Sequence, residues 1–350
     1  MSPSNANKVR QFRRQRGWSQ GELATRAGVS RAAVSAVEQQ RLAPSVTSAM
    51  ALARALQRTV EELFGDSPTS SEVEAWAWQP HSWPCRYWHA EVGGQRWLYP
   101  SEPTNLGEIP YDGTCQGKSK RRLQDSVPED VLVIATCDPA IGLLASEYAR
   151  QTPFRILPFT RSSRQSLTLL TEGKVHIAGV HLSGSHRSEG NAVAAREVCG
   201  EGACLVRVGV WQEGIASATH LDLKSSQQAV SSRLKWVGRE AGSGARDCLD
   251  ELLAGRTPPR RLAPDHRSVA LAIRYGWADA GVCLRLAGEE AGLNFLDLRR
   301  EAYDLCASDR TREDRRVLAL IDVIRSTPYR RLLGTLPGYD ARTTGDVFEC

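Results

Sequence analysis

The chain has 350 residues, of which 41% are hydrophobic and 24% charged, and its formal net charge is +5 at pH 7. This length predicts two or three domains, and the composition is typical of a soluble globular protein. The sequence has no run of eighteen apolar residues and no apolar leader, so we expect a cytoplasmic protein without a membrane span or an export signal.

A helix-turn-helix signature lies at residues 19–38. Ser19 and Glu22 have the spacing of a capping box that starts one helix. Gly28 supplies a tight turn, and Ser30 caps the next helix. A second helix held in this way can lie in the major groove of DNA with its N-terminal side chains on base edges.

Basic residues are concentrated at the start of the chain. The first 65 residues hold ten Lys or Arg and four Glu, a balance of +6, whereas the remaining residues sum to −1. An excess of positive charge on the module that would meet phosphates is typical of DNA-binding domains. The alternative is a small helical bundle with a solvated basic face.

Several sequence elements between residues 8 and 64 follow one family pattern. They are Gln20-x-x-Leu23-Ala24, Ala27-Gly28-Val29-Ser30, Val34-x-x-Val37-Glu38, Pro44-Ser45, and Leu52-Ala53-x-Ala55-Leu56 before Glu62-Leu63-Phe64. This segment resembles the Cro/C1-type (XRE) helix-turn-helix family, although Gln39-Gln40-Arg41 replaces the usual Asn/Arg-Gly turn. The resemblance implies an all-α head at residues 1–66 that binds double-stranded DNA.

The same resemblance implies which side chains face DNA. The base-facing and phosphate-facing set is Gln20, Ser30, Arg31, Ala32, Ser35, Ala36 and Arg41. Gln20 would contact phosphate, and only Arg31 among the base-facing residues can make a bidentate contact to guanine. Glu38 is expected to be a buried partner of Arg10 or Arg13, because a carboxylate that faces phosphates would be repelled.

A short polar linker over residues 65–72 precedes a β-rich segment over residues 73–112. This segment holds five of the nine tryptophans, and two apolar runs flank Gly93-Gly94. We expect a β-hairpin in a small subdomain that uses tryptophan as core filler. An aromatic ligand pocket or a dimer surface is the alternative. Residues 113–128 are polar and basic, which predicts a flexible connection.

The cysteines and histidines give no strong sign of a metal site. The nine cysteines lack a Cys-x-x-Cys motif, and their odd number favours reduced thiols over a disulfide framework. His81, Cys85 and His89 are four residues apart, but Pro84 argues against one continuous helix that presents them. We therefore expect no bound metal and no required cofactor.

From residue 129 the sequence alternates between short β-branched runs and helical patterns. The predicted strands are 131–135, 154–159, 175–180, 205–211, 234–237, 278–283 and 295–298. The predicted helices are 138–150, 163–172, 244–253, 268–275, 285–291 and 312–326. This alternation predicts an α/β domain with a largely parallel sheet.

Three strand-to-helix junctions in this half carry residues that suit ligand binding. They are Thr136-Cys137-Asp138, Thr160-Arg161-Ser162-Ser163 and Arg239-Glu-Ala-Gly242-Ser243-Gly244-Ala245-Arg246. Helix N-termini offer free N–H groups and the positive end of a dipole, and a glycine turn lets the backbone approach a ligand closely. The third junction lacks the Gly-Lys-Ser/Thr ending of a P-loop, so nucleotide hydrolysis is not expected.

A second family pattern spans residues 129–310. It includes Cys137-Asp138-Pro139-Ala140, Leu169-x-x-Glu172-Gly173-x-Val175-x-Ile-Ala178-Gly179-Val180-His181-Leu182, Gly190-Asn191, His266-x-Ser-Val269-Ala270, Gly276-x-Ala278-Asp279-Ala280-Gly281 and Glu301-x-Tyr303-Asp304-Leu305. These pieces resemble the periplasmic-binding-protein-like domain of cytoplasmic regulators. The resemblance implies two hinged lobes, one formed by 129–182 and 266–310 and the other by 190–262, followed by a C-terminal helix and tail at 311–350.

The resemblance also implies a ligand-binding set. Its members are Thr136, Cys137, Asp138, Arg161, Ser162, Ser163, His181, Ser243, Gly244, Ala245, Arg246 and Asp279. Such domains resemble molybdate and tungstate binders, so a small oxyanion is the leading candidate ligand. The alternatives are surface salt bridges for Arg161 and Arg246, a core or hinge role for His181, and backbone capping for Asp279.

The sequence as a whole predicts a ligand-responsive transcription regulator that binds DNA as a homodimer. It lacks Gly-x-Ser-x-Gly, His-Glu-x-x-His and any clustered His/Asp set, so we expect no catalytic residues. Two alternatives stay open: an enzyme on the α/β half with a DNA-targeting head, and an antitoxin-like DNA-binding protein that binds a partner.

Overall fold

The computed structural model describes residues 8–39, 41–64, 74–104, 106–117, 119–124, 126–182 and 190–349. The chain divides into two compact units, one over residues 1–73 and one over residues 74–350. The predicted linker at 65–72 lies outside the described residues. None of the helices in the described ranges combines the length and the apolar character that a bilayer span requires.

The first unit is a bundle of five helices. They are α1 (Val9–Gln15), α2 (Gln20–Ala27), α3 (Arg31–Glu38), α4 (Val46–Leu56) and α5 (Val60–Phe64). The predicted capping box is confirmed: Ser19 Oγ accepts from the Glu22 N–H at 3.1 Å, and Glu22 Oε2 accepts from the Ser19 N–H at 2.6 Å. Gly28 turns the chain at φ +65°, and Ser30 caps α3. The predicted helix-turn-helix is therefore formed.

The second unit begins with a five-stranded sheet. Its strands are β1 (Ala75–Trp76), β2 (Cys85–Val92), β3 (Gln95–Pro100), β4 (Gly113–Gln116) and β5 (Ser119–Arg122), in the spatial order β1-β3-β2-β4-β5. The predicted hairpin at Gly93-Gly94 joins β2 to β3. The flexible connection predicted from residue 113 is wrong up to residue 122, because β4 and β5 pair there. All four side chains of β5 are exposed, so no hydrophobic pattern marks this strand.

This sheet packs against the α/β part of the same unit. Trp88 and Tyr99 are buried with Phe159 in one core, and the rings of Tyr99 and Phe159 stack with centroids 5.3 Å apart. The Tyr99 hydroxyl donates to the carbonyl of Lys174 at 2.7 Å, and Trp97 Nε1 donates to that of Gly173 at 3.0 Å. These aromatic residues therefore fill a core that the two parts share.

The remaining strands form one ten-stranded sheet. They are β6 (Val131–Thr136), β7 (Arg155–Thr160), β8 (Ile177–Val180), β9 (Cys204–Ser217), β10 (Trp236–Arg239), β11 (Arg261–Ala263), β12 (Ala280–Leu284), β13 (Asn294–Ala307), β14 (Tyr339–Asp340) and β15 (Val347–Glu349). The spatial order is β11-β10-β12-β9-β13-β8-β6-β7, and both β14 and β15 pair with β9.

Nine helices accompany this sheet within the described residues. They are α6 (Ile141–Gln151), α7 (Ser163–Thr171), α8 (Gly190–Cys199), α9 (Ser226–Ser231), α10 (Gly244–Leu253), α11 (His266–Arg274), α12 (Arg285–Glu290), α13 (Arg315–Arg325) and α14 (Thr327–Leu333). The predicted α/β alternation is confirmed, and α10 has the bounds that its sequence predicts.

Two long strands define the lobes. β9 and β13 pair along their whole length, and β9 also pairs with β12 while β13 also pairs with β8. The first lobe therefore contains β6 to β8, and the second contains β10 to β12. The predicted division is wrong in two places: Ala195 of α8 lies in the core of the first lobe, and Val269 of α11 lies in that of the second.

The C-terminal segment completes the first lobe. The helix predicted at 312–326 is α13, and a further helix that the sequence did not predict, α14, follows it and ends at residue 333. Tyr329 and Leu333 are fully buried in a core with Trp211 and Tyr303. Residues 311–349 are therefore an integral part of the α/β fold.

Candidate functional site

The recognition helix α3 presents one face to solvent. Arg31 and Ala32 are exposed and Ser35 and Ala36 are half-buried, whereas Val34 is fully buried. Ser30 is exposed at the N-cap, and Arg41 is exposed just beyond the helix. The predicted base-facing side chains thus share the accessible side of the helix.

Glu38 lies at the centre of a hydrogen-bond network inside the head. Arg13 Nε donates to Glu38 Oε1 at 2.6 Å and Arg13 Nη2 to Glu38 Oε2 at 2.9 Å, so Arg13, of the two predicted partners, makes the hydrogen bonds. Gln20 Nε2 donates to Glu38 Oε2 at 2.9 Å. The side-chain amide of Gln20, which was expected to contact phosphate, is therefore bound to Glu38. Burial opposes ionisation of Glu38, but the bonds from Arg13 and Gln20 outweigh it and lower its pKa.

Glu38→Gln is expected to destabilise the head by about 2 kcal/mol near neutral pH, because it removes a charge that Arg13 pairs with in a shielded position. The pKa of Glu38 is lower in the folded protein than in the unfolded chain, where it is about 4.3. The stabilisation is therefore present above a pH of about 4.3 and disappears as the pH falls through the folded-state pKa. Amide hydrogen exchange in α2 and α3 of the full chain measures this. Glu22→Gln is the control, since a glutamine also completes a capping box; equal loss in both variants would contradict the role of the ion pair.

In the α/β unit, three predicted loops meet around His181. The His181 N–H donates to Ser163 Oγ at 3.1 Å, and a Cβ on Gly244 would lie 2.3 Å from the His181 carbonyl oxygen. Cys137 Sγ and a ring nitrogen of His181 lie within 4.8 Å of each other. Because Gly244 belongs to the second lobe and His181 to the first, the lobes are in contact at this point.

Thr136 and Asp138 hold the first of these loops in shape. Thr136 Oγ1 is hydrogen-bonded to the Tyr303 hydroxyl and accepts from the Asp138 N–H at 3.0 Å. Asp138 Oδ1 accepts from the Ala140 N–H at 2.9 Å and from the Tyr339 hydroxyl at 2.7 Å. Burial raises the pKa of Asp138. Both side chains are therefore engaged within the protein.

The third loop begins helix α10. Ser243 is its N-cap residue: its Oγ accepts from the Arg246 N–H at 3.3 Å and donates to the carbonyl of Glu240 at 3.0 Å. Gly244 and Ala245 are buried in the first turn of the helix, where backbone N–H groups have no acceptor within the helix. This turn faces the first lobe, since the Arg164 N–H donates to the carbonyl of Gly242 at 3.3 Å.

Arg239 has a guanidinium buried without a partner. It ends β10, is 1% exposed, and none of Nε, Nη1 and Nη2 has a hydrogen-bond partner among the described residues. The buried Oγ of Ser162, at the start of α7, has no partner either. A buried cation without a partner costs several kcal/mol, so this arrangement is suited to hold an anion. Arg239 is absent from the predicted ligand-binding set, although its position between a strand and a Gly-Ser-Gly turn is a usable signal.

His266 is a second residue absent from the predicted set. It opens α11 after the capping residue Asp265, and neither ring nitrogen has a partner among the described residues. Its ring centroid lies 5.5 Å from that of His181. Burial, together with the positive charges of Arg239 and His181, lowers the pKa of His266 well below its usual value. The imidazole is therefore neutral at physiological pH.

Two of the predicted ligand residues are arginines that pair with carboxylates. Arg161 Nη1 donates to Glu102 Oε1 at 2.7 Å, and its guanidinium lies over the ring of Trp78. Arg246 Nε donates to Asp250 Oδ2 at 2.7 Å, one turn further along α10. Both guanidinium groups therefore have a carboxylate partner within the protein, as in the salt-bridge alternative, and their assignment as ligand-binding residues stays a prediction.

Asp279 lies away from the three loops. Asp279 Oδ2 accepts from the Lys235 N–H at 2.7 Å, just before β10 starts, whereas Arg239 is the last residue of that strand. Asp279 is therefore at the opposite end of β10 from the three loops around His181. Its carboxylate caps the backbone, which is the alternative that the sequence left open.

Buried charges connect the three loops around His181 to the long strands β9 and β13. Arg299 of β13 lies 3.0 Å from Glu213 Oε2 and 2.6 Å from Glu301 Oε1, and its Nη2 donates to the carbonyl of Gly244 at 3.1 Å. Glu301 Oε2 is 3.2 Å from His181 Nδ1. Burial raises the pKa of Glu213 to about 7. Side chains of the crossing strands are therefore in direct contact with His181 and with the first turn of α10.

Comparison with known families agrees with the division of the chain into a helix-turn-helix head and an α/β unit. A family model described as the PBP superfamily domain matches residues 145–325, which is just over half of the chain, and a helix-turn-helix family model matches residues 9–63. Both resemblances predicted from the sequence are confirmed. The uncharacterized protein YvgK of Bacillus subtilis (strain 168) is 27% identical over 245 residues, which are 66% of this chain and 78% of that protein.

Similar folds also occur among solved structures. A protein described as a phosphate ABC transporter substrate-binding protein with bound phosphate, from Clostridium perfringens, has a TM-score of 0.49 and 11% identity over 58% of this chain and 96% of its own. PhnD1 from Prochlorococcus marinus (MIT 9301), in complex with methylphosphonate, has a TM-score of 0.44 and 13% identity over 63% of this chain and 93% of its own.

Proposed function

We propose that this chain, which belongs to the PBP superfamily domain family and carries a helix-turn-helix domain, is a one-component transcription regulator. The head binds double-stranded DNA, and the cleft between the two lobes senses a small ligand. We propose binding rather than catalysis as the role of the cleft. The observation that carries the ligand assignment is the buried, unpartnered guanidinium of Arg239.

The ligand that suits this cleft is a small oxyanion of the molybdate or tungstate type. An anion would pair with Arg239, and the free N–H groups in the first turns of α10 and α11 can donate to its oxygens. Ser162 adds a buried hydroxyl without a partner. A bulky or apolar ligand would leave these donors unsatisfied, at a cost of about 1–3 kcal/mol for each.

Ligand binding would act through lobe closure. Gly244 of the second lobe touches His181 of the first, so the contact between the lobes runs through the cleft itself. A ligand that bridges Arg239 and the first lobe favours the closed form by its differential affinity for the two states. The cytoplasm is the compartment in which a DNA-binding regulator of this kind acts.

We propose that the active form on DNA is a homodimer on a near-palindromic site, because one short recognition helix covers too few base pairs to be selective. The head exposes an apolar group that suits such a contact: Leu42, Val46 and Met50 are each between 44% and 77% exposed. Light scattering of the protein with and without its DNA site is expected to give two chains per site. A monomer that binds one half-site tightly would contradict this.

Thermal unfolding with molybdate, tungstate, sulfate and phosphate tests the ligand assignment. A ligand present at 100 times its dissociation constant is expected to raise stability by about 2.7 kcal/mol. The same anions are then added to the protein on DNA fragments recovered by selection. The proposal requires one anion both to stabilise the protein and to change its DNA affinity; no response to any of the four would overturn the oxyanion assignment.

Arg31 is expected to read one guanine through its guanidinium. Arg31→Ala should weaken binding to the selected site by about 1–3 kcal/mol and relax the base preference at one position. Fluorescence anisotropy on the selected site and on random DNA of the same length separates this from a phosphate contact. An equal loss on both DNAs would contradict base reading by Arg31.

A further inference from the structure

A cluster of metal-ligating side chains lies at the point where the two lobes meet. One ligand atom each from Cys137, His181 and His266 lie within 4.8 Å of one another, and all three residues are at most 1% exposed. Cys137 follows β6 and His181 follows β8, both in the first lobe. His266 begins α11 in the second lobe. The cluster therefore joins the lobes.

The imidazoles of this cluster have ring nitrogens without partners. His181 Nε2 and both nitrogens of His266 are buried without a hydrogen-bond partner among the described residues. A buried polar atom left unpaired destabilises a fold by about 1–3 kcal/mol, so three of them at one point indicate an absent ligand. A neutral imidazole carries a hydrogen on one nitrogen and a lone pair on the other, and that lone pair can accept a hydrogen bond or bind a metal ion.

His181 is already oriented for ligation. Its Nδ1 lies 3.2 Å from Glu301 Oε2, which leaves Nε2 for the cluster. A carboxylate behind a histidine is the usual second partner of a metal-bound imidazole, where it fixes the ring orientation and raises the basicity of the ligating nitrogen. Glu301 in turn is 2.6 Å from Arg299, so its position is held from both sides.

We propose that Cys137, His181 and His266 form a binding site for a divalent transition-metal ion, with zinc as the best match. Thiolate and imidazole are the ligands that zinc, cobalt and nickel select, whereas calcium and magnesium require oxygen. Binding requires the Cys137 thiolate and a lone pair on each imidazole, so any proton held by Cys137 and His181 at these positions is released to solvent. Three protein ligands leave the fourth position of a tetrahedral site open.

The open position is compatible with the charge of Arg239. That guanidinium has no partner of its own and acts on His266 electrostatically. An anion bound as the fourth ligand would offset part of the positive charge of the metal ion and of the guanidinium. The metal site goes beyond the proposed function, since a metal ion can bind there without any anion or DNA.

Cobalt(II) titration of the full chain tests the site, after the protein has been stripped of metal with a chelator. One equivalent of cobalt is expected to give a near-ultraviolet thiolate-to-cobalt charge-transfer absorption, which zinc then abolishes by displacement. Cys137→Ala should lose this absorption. Cys248→Ala is the matched control, because Cys248 is also buried but lies in the core of the second lobe, and it should keep the absorption at full intensity.

His266→Gln gives a second test that does not depend on the thiol. It should weaken cobalt binding at least 10-fold, and circular dichroism checks that the variant is folded. Arg239→Met should keep the cobalt absorption even where it removes the response to anions, which separates this site from the proposed anion sensing. Absence of the charge-transfer absorption at saturating cobalt, or its persistence in Cys137→Ala, would overturn the proposal.

Discussion

Arg239→Met is expected to make the ligand-free protein more stable while it abolishes the response to the anion. Arg239 is 1% exposed, and its three guanidinium nitrogens have no partner in the described part of the chain. Replacing buried charge with an apolar side chain of similar length commonly stabilises a protein by about 1–4 kcal/mol. The same change removes the positive charge that would pair with an oxyanion, so we expect at least a 100-fold loss of anion affinity.

Urea unfolding and calorimetric titration with molybdate measure the two effects separately. Arg246→Met is the matched control, because Arg246 also lies beside the third loop but is paired with Asp250. The control should change stability by less than about 1 kcal/mol, as is usual for a partly exposed ion pair, and should leave anion affinity unchanged. A strong loss of stability in Arg239→Met, together with unchanged anion binding, would show that the guanidinium has a structural role only.

Gly244→Val is expected to hold the two lobes apart. A Cβ at this position would lie 2.3 Å from the carbonyl oxygen of His181 and 2.7 Å from its Nδ1, which is closer than side-chain atoms can approach. Valine is tolerated in the first turn of a helix, so α10 itself should persist. Because the closed form becomes inaccessible, we expect the stabilisation by molybdate to be lost, with at least a 100-fold weaker affinity.

Small-angle X-ray scattering with and without molybdate checks the conformational part of this prediction. Gly238→Ala is the control, since a Cβ there would meet its nearest atom, in Leu249, at 3.4 Å, an ordinary contact distance. The control should contract on molybdate as the wild type does, whereas Gly244→Val should stay open. Compaction of Gly244→Val by molybdate to the same radius of gyration would contradict closure at this glycine.

Local signals explain the elements that the sequence predicted well. Helix α10 has the bounds expected because Ser243 caps it and its apolar residues recur at helical spacing. The strand β6 is a short run of apolar, largely branched residues buried on both faces. In the head, the capping box at Ser19 and the glycine turn at Gly28 are short-range features, so a single sequence suffices to place them.

Long-range contacts explain the elements that it missed. The strands β9 and β13 were predicted only in part, because Glu213, Arg299 and Glu301 interrupt their apolar pattern. A buried strand can contain those charges because Arg299 pairs with Glu213 and Glu301. Because the predicted strands were too short to cross between the lobes, the predicted lobe boundaries were wrong.

The residues of the candidate site also fall into those with a local sequence signal and those that depend on long-range contacts. The three loops were identified because each follows a strand and opens a helix, which is visible in the sequence. Arg161 was chosen for its charge, but its partner Glu102 lies 59 residues earlier, in the tryptophan-rich part. Arg239 and His266 acquire their importance from the absence of partners around them. Whether a buried side chain lacks partners depends on the whole fold, although the position of Arg239 between a strand and a glycine turn is visible in the sequence.

The most direct test of the account measures whether the cleft and the head are linked. The affinity for molybdate is determined by calorimetry with and without the selected DNA site, and the affinity for DNA by anisotropy with and without saturating molybdate. Linkage requires that both affinities change by the same factor, which is 5- to 150-fold for typical coupling free energies of about 1–3 kcal/mol. Molybdate affinity that is unchanged by the DNA site would contradict ligand-responsive regulation, even if the cleft binds the anion.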